Sequence, residues 1–78
     1  MNQREVQVYI SSNCKECDDL LHFLDKKNVK YISKNTSRNK SYLKEIQEEN
    51  VYVTPVVKAY GNWILGFQED QLSDVLGL

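Results

Sequence analysis

The chain has 78 residues, 27% of them charged and 41% hydrophobic, with a formal net charge of −1. That length accommodates one domain with a small core, residues 1–78 taken together, and the near-neutral balance argues against nucleic acid or a membrane surface as a partner. Met1-Asn2-Gln3-Arg4-Glu5 lacks the apolar stretch of a secretory signal, and the uncharged run around Val51 to Val57 is too short to span a bilayer. A cytoplasmic monomer is the expectation.

Glu5 to Ile10 reads as a strand on its alternating apolar residues. Cys14 to Lys27 follows as a helix ending near Asn28, with Cys17, Leu20, Leu21 and Leu24 forming its apolar stripe. Val29 to Ser33 is a short β-like run, parallel to the first strand because a helix joins the two. Ser37 or Ser41 is the predicted cap of a second helix reaching about Glu49, with Tyr42, Leu43 and Ile46 facing inward. Pro55 to Tyr60 reads as a strand, Gly61-Asn62 as a hairpin turn and Trp63 to Leu65 as the returning strand, closed by Gly66. Gln68 to Leu76 forms a last helix with Leu72, Val75 and Leu76 on one face. The order βαβαββα predicts an α/β fold: a four-stranded mixed sheet with three helices on its two faces.

Cys14 and Cys17 are the only cysteines, two residues apart at the strand-to-helix junction. A redox pair, a zinc site, a structural disulfide and two inert thiols are the competing readings. A structural zinc ion wants four protein ligands, and beyond the two cysteines the chain has one histidine, His22, which lies off the apolar stripe and reads as a surface residue. A permanent disulfide is disfavoured in the cytosol. The placement favours redox chemistry, because the first sulfur sits near free N–H groups at the positive end of a helix, where the reactive thiolate is stabilised.

Val8-Tyr9-Ile10 leading to Cys14-x-x-Cys17, then Val53-Thr54-Pro55-Val56-Val57, then a glycine-containing turn before an acidic helix start, resemble the glutaredoxin-like branch of the thioredoxin superfamily along the whole chain. Trp63-Ile64-Leu65-Gly66-Phe67-Gln68-Glu69-Asp70 is similar to the Trp-x-Gly-Phe-x-x-Asp pattern of NrdH-type redoxins, with one extra residue between Trp63 and Gly66. The resemblance implies a thioredoxin-like fold and a cis Thr54–Pro55 bond facing the dithiol, with Thr54 free to pair with an extended substrate. It implies Cys14 as nucleophile and Cys17 as resolving thiol. Thr54, Pro55, Lys15, Gly66, Phe67 and Gln68 then become the candidate substrate contacts. No cofactor is required, with glutathione the one small-molecule reductant to consider.

Departures from the family bear on the electron donor. Glutathione-using members carry a lysine where this chain has Ser11, and favour Pro-Tyr where it has Lys15-Glu16. Glu16, Asp18 and Asp19 should repel anionic glutathione and offset part of the helix's stabilisation of the thiolate, while Lys15 acts in the opposite sense. These features favour thioredoxin reductase as the donor and, through the NrdH likeness, ribonucleotide reductase as one recipient. The alternatives are a glutathione-dependent glutaredoxin and a dimer holding an iron–sulfur cluster or zinc through Cys14. Seven basic residues without an acid lie between Lys26 and Lys44, read as a solvated face or as a docking surface for carboxylates. Trp63 and Phe67 read as packing residues, or as an apolar partner contact if exposed near Cys14.

Overall fold

A computed structural model describes residues 5–78. The elements run β1 (Val6–Ile10), α1 (Lys15–Lys26), β2 (Ile32–Asn35), α2 (Lys40–Gln47), β3 (Val56–Ala59), β4 (Asn62–Leu65) and α3 (Glu69–Leu76). The sheet order is β2-β1-β3-β4, with β1 parallel to β2 and antiparallel to β3, and β3 antiparallel to β4. This is the thioredoxin-like architecture expected of the sequence.

Alternation along the strands builds a core on each face of the sheet. Val6 and Val8 of β1, Val57 and Ala59 of β3 and Ile64 of β4 pack with Leu20 and Leu24 of α1 and Leu72 of α3. Their neighbours Tyr9, Val56 and Trp63 point the other way and pack with Tyr42, Leu43 and Ile46 of α2. Two helices therefore cover one face and one covers the other. Among the described residues no helix is long and apolar enough to cross a membrane.

Most element ends shift by one or two residues, β2 running to Asn35 rather than Ser33 and α2 stopping at Gln47 rather than about Glu49, and three differences from the sequence reading have a local cause. β2 begins at Ile32 rather than Val29 because Val29 is used to end α1. Asn28 takes a positive φ of 58°, its N–H donates to the Asp25 carbonyl at 3.0 Å, and the Val29 N–H reaches back to Leu24 at 3.0 Å. That is a Schellman termination, with Val29 packed against the core that holds Leu24. The cap of α2 is Asn39, whose side-chain oxygen accepts the Ser41 N–H at 2.9 Å, and neither Ser37 nor Ser41 fills that role. The hairpin turn is Tyr60-Gly61, since Ala59 pairs with Asn62. Both turn residues have positive φ, 52° and 81°, as a type I′ turn requires.

Tyrosine is poorly suited to that first turn position, and Tyr60 is 44% exposed. Tyr60→Asn should therefore stabilise the fold by about 0.5–1 kcal/mol, seen as a rise of several degrees in the thermal unfolding midpoint.

A polar network lies on the α2 face. The Glu45 carboxylate accepts the Tyr9 hydroxyl at 2.7 Å and the Lys34 ammonium at 3.1 Å. The Tyr9 bond, then Lys34 and the charge of Lys58, hold Glu45 below the ordinary carboxylate range against an opposing contribution from burial. Burial first, and the Glu45 bond second, push the Tyr9 phenol up. A lowered folded-state pKa contributes stability above the unfolded value, about 4.3, and that contribution disappears as pH falls through the folded value. The gap in urea midpoint between the native chain and Glu45→Gln should accordingly be full at neutral pH, narrow as pH falls below the unfolded value, and close once Glu45 is protonated in the folded chain. A gap that does not change with pH would show that the Glu45 charge contributes nothing.

Candidate active site

The dithiol is presented by the junction of β1 and α1. Asn13, with a positive φ of 57°, turns the chain into Cys14, which caps α1 in an extended conformation. The Cys14 sulfur accepts the Cys17 N–H at 3.1 Å, so it stands at one of the helix's otherwise unpaired donors. Cys17 lies one turn on and is buried beside Leu20 and Leu24 on the inward stripe, whereas Cys14 is half-buried. The two sulfurs are joined as a disulfide. Cys14 is thus the more accessible residue of the pair and Cys17 the enclosed one.

Two other segments form the rim. The Ser11 and Thr54 hydroxyls are hydrogen-bonded at 2.7 Å, tying the segment before the dithiol to the Thr54–Pro55 bond, which is cis. The Pro55 carbonyl accepts the Gly66 N–H at 2.8 Å. Glu16 then closes the circuit: its Oε2 accepts the Phe67 N–H at 2.8 Å, across 51 residues of sequence. Thr54, Pro55, Gly66 and Phe67 are thereby linked to the dithiol segment through Ser11 and Glu16, neither of which the sequence reading placed among the contacts. Glu16 was legible only as a charge, and Ser11 only as a missing lysine.

The remaining candidates stand outside that circuit. Lys15 is directed along the outer face of α1, with its ammonium 3.4 Å from Asp19 in an exposed pair. The Gln68 side-chain amide donates to the Leu65 carbonyl at 2.6 Å, leaving the α3 start without a side-chain cap. Phe67 meets Phe23 edge-on at 5.6 Å and Trp63 stacks on Tyr9 at 6.0 Å, so both aromatic rings serve packing. His22 is exposed.

The basic run divides. Lys34 turns inward, bonding Gln7 and Glu45 and lying over the Tyr9 and Tyr42 rings, while its six companions are exposed. The loop that carries Arg38 abuts the segment before the dithiol, where Ser37 accepts the Ser12 N–H at 3.0 Å. Among the described residues, no three His, Cys, Asp or Glu side chains gather as a metal site.

Comparison with known proteins agrees with this geometry. The glutaredoxin family model matches residues 6–64. The thioredoxin-like protein BC3987 superposes with a TM-score of 0.87 at 26% identity, covering 92% of this chain and 100% of its own. The glutaredoxin grx-1 from Archaeoglobus fulgidus gives 0.80 at 25% identity, with 94% and 86% covered. NrdH-redoxin from Escherichia coli, a glutaredoxin-like protein described as having a thioredoxin-like activity profile, gives 0.84 at 17% identity, with 91% and 93% covered, a likeness of fold. No curated protein sequence gives a significant match.

Gly66 is where the circuit is tightest. It has a positive φ of 77°, and a Cβ there would stand 3.3 Å from the Glu16 oxygen. Gly66→Ala should cost roughly 1–2 kcal/mol through the left-handed backbone alone. It should also speed hydrogen exchange at the Phe67 amide, because the carboxylate must shift to make room.

Proposed function

The chain belongs to the glutaredoxin family, and on that premise we propose that it is a thiol–disulfide oxidoreductase that reduces protein disulfides through Cys14 and Cys17. The observation that carries the reading is the asymmetry of the pair: a half-buried Cys14 on the helix cap and a fully buried Cys17 behind it.

Once the pair is reduced, the Cys17 N–H and the positive end of α1 favour the thiolate form of Cys14. The thiolate attacks one sulfur of a substrate disulfide, the substrate S–S bond breaks, and one substrate thiolate leaves. The Cys17 thiolate then attacks the Cys14 sulfur of the mixed disulfide and expels the second substrate thiolate. Two electrons and two protons pass to the substrate, which leaves as two thiols, and the chain is left as the Cys14–Cys17 disulfide. Thr54 and Pro55 would flank the bound substrate, with Gly66, bonded to the Pro55 carbonyl, and Phe67 next along the rim.

The oxidised pair must be reduced again, and we assign that role to thioredoxin reductase ahead of glutathione. Ser11 stands where a carboxylate-binding lysine would be and is engaged with Thr54. Glu16 and the exposed Asp18 and Asp19 surround the dithiol's helix start with negative charge. The NrdH-like turn supports the same donor and makes ribonucleotide reductase one candidate recipient. Exposed charges of this kind are worth only about 0.2–1 kcal/mol each, so the donor is a preference and not an exclusion.

With insulin as the disulfide probe, Cys17→Ser should accumulate a mixed disulfide at Cys14, detectable by mass spectrometry, whereas Cys14→Ser should accumulate none. The reverse pattern would invert the two roles. Turnover should be faster with thioredoxin reductase than with glutathione and its reductase, and a clear advantage for glutathione would overturn the donor assignment alone.

A further inference from the structure

Glu16 sits in the first turn of α1, exposed and free to extend into water. Instead its carboxylate crosses to the turn between β4 and α3 and takes the Phe67 N–H at 2.8 Å. The helix that begins there offers no competing acceptor, since its cap residue Gln68 makes no capping bond and its side chain donates to Leu65. Gly66 leaves the space the oxygen needs, as a Cβ there would stand 3.3 Å away. A donor on the rim of the dithiol, beside a turn without a Cβ, is therefore already occupied by a carboxylate belonging to the chain itself.

We propose that Glu16 is a specificity-determining residue that occupies, from within the chain, the Phe67 amide that a carboxylate on a disulfide substrate would otherwise use. The inference rests on the disulfide exchange assigned above and goes beyond charge repulsion. Repulsion by Glu16 is long-ranged and screened by salt, whereas occupancy of a donor is local and persists in salt. The substrates favoured are neutral or cationic at the group next to the reacting sulfur, and those disfavoured carry a carboxylate that would need the Phe67 N–H.

Three small disulfides differing in charge separate the two effects: 2-hydroxyethyl disulfide (neutral), cystamine (dication) and 3,3′-dithiodipropionate (dianion). In a Cys17→Ser background, each reacts in one step. The Cys14 thiolate bonds to one sulfur, the S–S bond of the probe breaks, and one small thiolate leaves. Rates are measured for Glu16, Glu16→Gln and Glu16→Ala and divided by the neutral probe's rate, which cancels any change in thiolate reactivity.

Glutamine retains an oxygen for the Phe67 N–H and removes the charge, while alanine removes both. Cystamine should lose its charge-based advantage equally in both variants. The dianion's relative rate should rise about three- to fivefold more in Glu16→Ala than in Glu16→Gln. That difference should survive at 0.5 M salt, where screening shortens to about 4 Å. Equal rises in the two variants would reduce Glu16 to a plain charge and overturn the proposal, as would no rise in either. If the Cys17→Ser chain fails to react even with the neutral disulfide, the exchange chemistry itself is wrong, an outcome distinct from both.

Discussion

The carbonyl of Ile10 at the end of β1 accepts two hydrogen bonds from Thr36, one from its N–H at 2.8 Å and one from its hydroxyl at 3.0 Å. Thr36 is the buried polar residue among those described, and both of its donors are satisfied there. This double contact holds the segment after β2 against the point where β1 leaves the sheet. The surroundings of the dithiol are assembled immediately beyond it: Ser11 ties to Thr54, Ser12 to Ser37, and Asn13 turns the chain into the capping cysteine. An unpaired carbonyl at that depth would cost about 1–3 kcal/mol, a large share of what a domain this small can supply.

The helix that presents the dithiol carries a compromise in its first turn. Glu16 and Asp18 there, with Lys26 in the last turn, complement the helix dipole, each such charge being worth about 0.3–1 kcal/mol. The same carboxylates oppose a second negative charge on Cys14. Glu16 resolves part of this conflict geometrically, because its carboxylate is directed to the Phe67 amide. The structure thus keeps an acidic helix start while aiming one carboxylate at a backbone donor.

The two helices that run away from the site end in the same way. Asn28-Val29 closes α1 and Asn50-Val51 closes α2, each asparagine at positive φ and each valine N–H returning to the carbonyl five residues earlier, Leu24 or Ile46, at 3.0 Å. In both cases the valine then joins a core, half-buried after α1 and buried after α2. Val51 is buried with Tyr9, Ile46 and Val56, so the terminator of α2 also anchors the stretch that leads to Thr54 and Pro55 at the rim.

Local periodicity made much of this protein legible from its residues. The alternation in Val6–Ile10, the stripe from Cys17 to Leu24 and the spacing of the cysteines are patterns within a few residues, and they determined the element order, the two-faced sheet and the placement of the dithiol on its helix. Features that depend on which distant segments meet were not legible. Ser37 looked like a helix cap until the fold brought Ser12 to its oxygen, and Lys34 belonged to a charge run until Glu45 and two tyrosine rings enclosed it. The Glu16–Phe67 and Ser11–Thr54 bonds span 51 and 43 residues. A hydrogen bond needs atoms within about 3 Å, and over such separations only the packing of helices on the sheet decides which donors and acceptors come that close.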